Sequence, residues 1–275
     1  MLATSLNWNG EHDMGKAYEQ IADELREAIR AGQLGPGDRL PAETDLAERH
    51  RRSVPTIREA LRLLRDEGLI EKQHGRGNFV RRPRTPVHRT NVRHQWEKDR
   101  AKETEAERLQ TGATEHDTGL QVNELVFRAS YGEAKADKSL AEAFGIEEGT
   151  ALVERIYRTR YAAETAPFAL VSSYLVRDMV AVNPCLSDET KEPWPGGTQN
   201  QLLTIGIELD RIEEHITARP PTPEEAEELE LPPGTAVIIL RKTSYDTNNR
   251  AVEISDVTLP GDRTEMHFTT PLERW

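Results

Sequence analysis

The chain has 275 residues, enough for two domains with separate cores, and its net charge of −12 taken alone argues against a polyanionic partner. It contains no apolar run of about 18 residues, which excludes a membrane-spanning helix. The N-terminal residues 1–13 have neither a basic start nor an apolar stretch, so we expect no secretory signal. The lone Cys185 excludes an internal disulfide and fits a reducing cytoplasm.

The charge is unevenly distributed along the chain. Residues 14–94 contain 17 Lys and Arg against 12 Asp and Glu, a balance of +5. Residues 95–275 contain 19 against 34, a balance of −15. A basic front and an acidic back indicate that only the front meets nucleic acid.

Three helices and a hairpin are predicted at the front. The first helix covers residues 16–31, the second starts after Pro41, and the third follows an N-cap at Ser53 and ends at Gly68. The hairpin pairs residues 69–73 with 78–81. Apolar residues at helical spacing support the helices: Tyr18, Ile21, Leu25 and Ile29 in the first, Leu46 and Ala47 in the second, and Ile57, Ala60, Leu61 and Leu64 in the third.

Basic residues lie where such a unit would meet DNA. Arg58 and Arg62 point away from the apolar face of the third helix, as in a recognition helix. Arg76 lies between two glycines at the hairpin tip, which allow a tight turn, and its charge suits the minor groove. Residues 14–82 are therefore interpreted as a winged helix-turn-helix domain.

This front segment resembles the GntR family of bacterial transcription regulators. The shared motifs are PGDRLP, T-x-R-E-A-L-x-L-L, EGLI and GRG, in about 65 residues without a gap. The resemblance implies that a dimer binds operator DNA, with the third helix in the major groove and the wing tip at the minor groove. The expected DNA-binding residues are Arg51, Arg52, Ser53, Thr56, Arg58, Arg62, His74, Gly75, Arg76 and Gly77.

Two positions depart from the family pattern. Thr44 and Val54 stand where the family commonly has arginine, which predicts an altered operator preference. Arg51 and Arg52 are candidates to replace the lost phosphate contacts. Whether Arg58 and Arg62 read a guanine edge or hold a phosphate stays open at this point.

Residues 83–120 are interpreted as a linker, basic at first and then charged. Two prolines and several arginines in residues 81–94 favour an ordered or semi-extended connection over a core element. The stretch 96–109 has little apolar periodicity, and a solvated helix and a mobile segment are equally compatible with it. In either form it must couple the two ends of the chain.

Residues 121–275 alternate strand-like and helix-like segments without regular βαβ order, which predicts an α+β domain around a mainly antiparallel sheet of about six strands. The predicted strands are 125–131, 151–161, 167–175, 236–245, 251–259 and 264–269, and residues 207–218 are predicted to be extended. The predicted helices are 138–144, 199–205 and 223–230.

This half resembles the UTRA effector-binding domain of the HutC branch of the GntR family, whose fold is similar to chorismate lyase. The matching segments include Y-R-T-R at 157–160, L-x-L-P-P-G-T at 229–235 and A-V-E-I-S at 251–255. The resemblance implies a pocket for a small polar or anionic effector. The expected pocket residues are Arg158, Arg160, Ser173, Tyr174 and Glu253. Val171 replaces a glutamate that is frequent in the family, which suggests a ligand with fewer hydroxyl groups.

The sequence favours a cytoplasmic, homodimeric transcriptional repressor that a small effector releases from its operator. An enzyme is the first alternative, but no nucleophile, acid–base pair or metal-ligand spacing is present, and no cofactor is predicted. A DNA-binding protein whose back domain only dimerises is the second. Residues 192–197 are either a lid over the pocket or a surface loop whose tryptophan packs on the sheet.

Overall fold

The computed structural model describes residues 8–273, which form two compact units. The first unit comprises residues 8–84 with the short stretch 231–235, and the second comprises residues 85–230 and 236–273. Residues 1–7, part of the segment in which no secretory signal was expected, lie outside the described residues.

The first unit is built from three helices and a hairpin. Its elements are α1 (Trp8–Arg30), α2 (Glu43–His50), α3 (Val54–Asp66), β1 (Ile70–Gln73) and β2 (Gly77–Val80). The predicted apolar positions meet in one core, in which Leu46, Ile57 and Leu61 are fully buried. Helix α1 begins earlier than predicted, because apolar periodicity starts only near residue 17 and gives no signal for the preceding turns.

Polar side chains fix α3 to its neighbours in this unit. The guanidinium of Arg26 on α1 donates to both oxygens of Glu67 at the end of α3, at 2.8 and 2.6 Å. Arg65 on α3 donates to the side-chain oxygen of the buried Asn78 on β2, at 3.1 Å. The hairpin is antiparallel, and its register runs from Ile70 opposite Val80 to Gln73 opposite Gly77. The Arg65–Asn78 hydrogen bond therefore connects the hairpin to α3.

The second unit contains a six-stranded antiparallel sheet, which confirms the predicted α+β fold. Its strands are β4 (Leu125–Lys135), β5 (Ala151–Tyr161), β6 (Leu170–Val176), β7 (Leu209–Arg219), β8 (Val237–Asp246) and β9 (Ala251–Pro260). In the sheet they follow the order β4-β5-β6-β9-β8-β7.

The helices of this unit cover opposite faces of the sheet. On one face, α7 (Lys138–Phe144) packs against Leu152 and Ile254. On the other, Leu202 of α9 (Gly197–Leu203) packs with Val153 and Leu175. The remaining helices are α8 (Arg177–Val180) and α10 (Pro223–Glu228). We call the face under α9 the inner face and the face under α7 the outer face.

Residues 83–120 differ from the predicted linker, since from residue 85 onward they are a folded part of the second unit. They contain β3 (Val87–Thr90), α4 (Arg93–Arg100), α5 (Glu105–Arg108) and α6 (Ala113–Thr118). Strand β3 pairs in parallel with β10 (Thr264–His267), so the last predicted strand lies outside the main sheet. The sparse apolar periodicity was misleading, because many charged side chains here are buried in ion pairs instead of being solvated.

Candidate nucleic-acid interface and effector cavity

The exposed side of α3 carries the arginines predicted for a recognition helix. The side chain of Arg58 is 66% exposed and that of Arg62 is 52% exposed. The Nε of Arg58 donates to Glu43 on α2 at 2.7 Å, and Arg62 donates to two carboxylates of its own helix. These are surface ion pairs, which contribute little to stability and exchange readily for other anions. Both guanidiniums are therefore available to DNA.

The hairpin turn presents a second basic group. His74, Gly75 and Arg76 are exposed, and the glycine has a left-handed φ of 71° that allows the turn. The Arg76 guanidinium lies 5.5 Å from the centre of the Phe79 ring, a cation–π contact that steadies it near the tip. The half-buried Gly77, with a φ of 117°, closes the turn. The wing thus holds one arginine at its end, as predicted.

The turn between α2 and α3 contains the remaining predicted contacts. Arg51, Arg52 and Ser53 are exposed, and Arg51 adopts a left-handed conformation that ends α2. Thr56 requires a correction, because its side chain is buried and its hydroxyl lies 2.9 Å from the Ser53 hydroxyl. It supports the start of α3 instead of facing outward.

Ser53 has a structural role that can be separated from DNA contact. Its hydroxyl accepts from the backbone N–H of Thr56 at 3.4 Å and so caps α3. We expect Ser53→Ala to lower the free energy of unfolding of the first unit by about 1 kcal/mol, because the cap is lost. Urea denaturation measures this loss.

The matched variant Ser53→Asp separates the two roles. It should keep the stability, because aspartate also caps helices, yet weaken DNA binding through repulsion of phosphate. Equal stability of the wild type and Ser53→Ala would contradict the capping role.

The second unit encloses a cavity of about 510 Å³, within the usual range for small-molecule sites. Its floor is the inner face of the sheet, where Tyr157, Val171, Ser173 and Glu253 are exposed to it. Its roof comes from residues 87–118, and residues 192–199 close one side. All six residues from 192 to 197 line it, and Trp194 also packs on the inner-face core. A cavity of this size can hold a small organic molecule.

A buried ionic cluster lies in the floor. Arg155 is fully buried and donates to Gln201 at 2.6 Å and to Ser173 at 2.7 Å. Glu253 lies 3.2 Å from Arg155 and 2.9 Å from Lys242. Burial alone would raise the pKa of Glu253, but these two cations and the hydrogen bonds outweigh it and hold the pKa at about 2. Glu253 is therefore an anion at neutral pH.

A second ionic cluster connects the roof to the sheet. Arg93 on α4 lies 2.8 Å from Glu97 and also pairs with the buried Asp117 of α6. Arg89 on β3 lies 3.4 Å from Glu214 on β7, and burial lowers the pKa of Arg89 to about 10. The Arg93 pairs hold α4 and α6 together within the roof, and the Arg89–Glu214 pair connects the roof to the inner face.

His94 gives this cluster a pH dependence. Its Nε2 lies 3.1 Å from Glu214 and its Nδ1 lies 3.7 Å from Glu97, while Lys242 and Arg89 are the nearby cations from β8 and β3. Burial would lower the pKa of His94, but the two carboxylates outweigh it and raise the pKa above 6.5. Because the folded pKa is raised, the stabilisation is complete below about pH 6.5 and is lost as the pH rises through the folded value.

We expect the pH-dependent loss of stabilisation by His94 to be absent in the His94→Gln variant. The measurement is the unfolding free energy of the wild type minus that of the variant, from urea titrations between about pH 5.5 and 8.5. The difference should decrease with rising pH. A difference that is constant or increases over this range would contradict the assignment.

The structure brings together only part of the predicted effector set. Ser173 and Glu253 line the cavity. Arg158, Arg160 and Tyr174 lie on the outer face, because side chains alternate along a strand and these residues have the opposite parity to Tyr157 and Ser173. They have other partners: Arg158 pairs with Glu228 at 2.5 Å, Arg160 donates to three backbone carbonyls, and Tyr174 donates to Glu154 at 3.0 Å.

Several polar residues of the cavity were not predicted. They are Arg155 beneath the floor, Tyr157 and Lys242 in it, and Arg89, Arg93 and Glu97 in the roof. Strand alternation puts Arg155 on the face of Val153 and Tyr157, and Arg158 and Arg160 on the face of Leu152 and Ile156, but both faces carry apolar residues and the pattern does not indicate which one lines a cavity. The roof residues had no local sequence signal either, because the partners of their charged side chains are distant in sequence.

Within residues 8–273, no group of His, Cys, Asp and Glu side chains is arranged to hold a metal ion. In the same range, no helix is both long and apolar enough to cross a membrane.

Comparisons with known proteins identify both units. Residues 17–80 match the model of the bacterial regulatory proteins of the gntR family, and residues 128–265 match the UTRA domain. A solved structure of a GntR-family transcriptional regulator is 24% identical, covers 94% of this chain and 98% of its own, and superposes with a TM-score of 0.61. That likeness shows the fold.

The curated relatives are named as transcriptional regulators. An uncharacterised HTH-type transcriptional regulator of Streptomyces coelicolor is 29% identical and covers 86% of each chain. The HTH-type transcriptional repressor NagR of Bacillus subtilis is 25% identical over 91% of this chain and 93% of its own. The histidine utilization repressor of Klebsiella aerogenes is 25% identical over 90% and 91%. Their names favour the regulator over the enzyme alternative. The chain belongs to the GntR family, as a HutC-type DNA-binding transcriptional regulator with a UTRA effector-binding domain.

Proposed function

We propose that this protein is a cytoplasmic, homodimeric repressor that leaves its operator when a small polar or anionic molecule enters the cavity of the second unit. In this proposal residues 14–82 bind DNA, through Arg51, Arg52, Ser53, Arg58 and Arg62 around α3 and through residues 74–77 of the wing. The second unit, residues 85–230 and 236–273, binds the effector and dimerises in this proposal. A single winged helix offers a small contact surface, which favours two copies on two half-sites.

One observation carries the proposed coupling. The first unit ends at Arg84 in the continuous chain, and the segment that follows at once, residues 87–118, forms the cavity roof. A bound molecule would therefore contact the stretch through which the chain leads to the DNA-binding unit. Its ion pairs, such as Arg93–Glu97 and Arg89–Glu214, can reorganise when a ligand competes for them.

Repression can be tested with a reporter gene placed behind the DNA upstream of the protein's own gene. The reporter signal should fall when the protein is expressed and should recover with Arg58→Ala. A signal that rises with the wild type would show activation and would overturn the repressor assignment. Sedimentation of the purified chain tests the dimer: a monomer at micromolar concentration, alone and with DNA, would contradict it.

A further inference from the structure

The floor of the cavity changes from polar to apolar in one step along the strands. Strand register aligns Arg155, Ser173, Ser255 and Lys242 in one row across β5, β6, β9 and β8. The next row on the same face, two residues along each strand, contains Tyr157, Val171, Val257 and Leu240. Neighbouring rows of this kind are about 7 Å apart. A ligand on this floor thus meets a polar row and an apolar row.

The apolar side continues beyond that row. Phe127, Phe168 and Leu259 also line the cavity, and Thr159 beside them adds a single hydroxyl. The Tyr157 hydroxyl is already bonded to Glu192 at 3.1 Å and to Tyr131 at 2.9 Å. A hydroxyl-rich ligand would lose water here without gaining partners, at about 1–3 kcal/mol for each buried group. This end therefore suits a hydrocarbon group.

The polar side has its carboxylates already occupied by cations. Glu97 and Asp117 pair with Arg93, and Glu253 pairs with Lys242 and Arg155. The other two carboxylates that line the cavity also have donors: Glu192 accepts from Tyr131, Tyr157 and Gln201, and Glu115 accepts from the backbone N–H of Gly112. An ammonium group would therefore have to displace an existing partner at each of them. By contrast, the Nε of Arg93, which lines the cavity, is buried and has no acceptor among the described residues. A buried N–H group without an acceptor at a cavity wall indicates that the missing partner is an oxygen of the ligand.

The charges around the cavity disfavour a dianion. The cations and carboxylates that line or underlie it occur in equal numbers: Arg89, Arg93, Arg100, Arg108, Arg155 and Lys242 against Glu97, Glu115, Asp117, Glu192, Glu214 and Glu253. A dianion such as a phosphate ester would bring two uncompensated charges into this buried region, whereas a carboxylate brings one. Arginine also binds carboxylates with good geometry.

We propose that the effector of this protein is an amphipathic monocarboxylate, with its carboxylate beside Arg93 and Lys242 and its hydrocarbon group over Val171 and Val257. The inference rests on the proposed function and specifies the ligand of the same cavity. It requires no covalent step: the carboxylate accepts hydrogen bonds and the hydrocarbon is removed from water.

Calorimetric titration of the full chain tests this with four probes: octanoate, 1-octanol, octylammonium and glucose 6-phosphate. Octanoate should bind saturably and with a negative heat-capacity change, because apolar surface is buried. The other three should bind at least about tenfold more weakly, since each lacks either the carboxylate or the hydrocarbon. Equal binding of octanoate and 1-octanol would overturn the carboxylate assignment, and tighter binding of glucose 6-phosphate would overturn the hydrocarbon assignment.

Matched variants locate the ligand. Val171→Thr is nearly isosteric and should weaken octanoate about threefold to tenfold, because a hydroxyl then faces the hydrocarbon. Val176→Thr makes the same change on the outer face of the same strand and should leave the affinity unchanged. Arg93→Lys keeps the charge but removes the Nε donor, and should weaken octanoate more than 1-octanol. Equal effects of the two valine variants on octanoate affinity would contradict the placement of the hydrocarbon group over Val171.

DNA binding of the same preparation is measured in parallel. If octanoate fails to bind while the chain still binds operator DNA, the ligand class is overturned and the proposed regulator stands. If the chain binds no DNA, the proposed function itself fails whatever octanoate does.

Discussion

Glu253→Ala is expected to lower the free energy of unfolding of the second unit by about 3–5 kcal/mol. The substitution leaves Arg155, which is fully buried, and Lys242 without their shared carboxylate. It also removes an acceptor from Ser173 and Ser244. Removing one member of a buried ion pair costs far more than the pair contributes, because the remaining charge stays out of water.

Glu228→Ala provides the control for this experiment. Glu228 pairs with Arg158 on the outer face, but its side chain is 46% exposed. Loss of such a pair should cost less than about 1 kcal/mol. Urea denaturation followed by circular dichroism measures both variants. A loss for Glu253→Ala no larger than that for Glu228→Ala would show that the buried cluster does not stabilise the unit.

Arg58→Ala is expected to weaken operator binding roughly ten- to a hundredfold, with a similar loss for Arg76→Ala. Arg58 lies on the exposed side of α3, paired with Glu43, and Arg76 lies at the wing tip. In the proposed function Arg58 exchanges Glu43 for DNA. Fluorescence anisotropy with labelled operator DNA measures the affinities. If Arg58 reads a guanine edge, its loss also reduces discrimination against mutated sites, whereas loss of a phosphate contact weakens all sites alike.

Arg30→Ala is the matched control for these arginines. Arg30 is an equally exposed arginine at the end of α1 and pairs only weakly, at 3.7 Å, with Glu27. It lies outside the predicted DNA-binding set, so its loss should change the affinity less than about twofold. An effect as large as that of Arg58→Ala would mean that the two predicted arginines act only through net charge.

Much of the first unit could be predicted from the sequence because its signals are local. The N-cap at Ser53, the apolar spacing of Ile57 and Leu61 and the glycines around Arg76 all act within a few residues of the elements they define. Thr56 is the exception: the spacing placed it on α3, but its bond to the Ser53 hydroxyl and its burial depend on how the cap folds.

The cavity was predictable only in part, because distant partners decide which face of a strand lines a cavity. The bounds of β5 agree with the predicted 151–161, yet the arginine pair chosen for the pocket lies on the outer face. Arg155 is buried because Gln201 and Glu253, 46 and 98 residues away, supply its acceptors. No local pattern reports such partners, and an arginine between apolar residues can be on either face.

The roof segment was even less predictable from local sequence than the cavity floor. Its residues 87–118 belong to the stretch 83–120 that was interpreted as a linker, because the prolines and charges of that stretch suggested a solvated connection. Arg89 instead pairs with Glu214, 125 residues away, and β3 pairs with β10 near the C-terminal end. Long-range ion pairs and a parallel strand pair stabilise a segment whose own sequence resembles a connection.

The most direct test of the account is a titration of the purified full chain onto DNA upstream of its own gene, against a scrambled duplex of equal length. The account predicts a discrete complex with the upstream DNA at physiological salt and at least about a thousandfold weaker binding to the scrambled duplex, with both affinities falling as salt rises. Equal affinity for the two duplexes, or no complex with either, would contradict the conclusion that this chain is an operator-binding regulator.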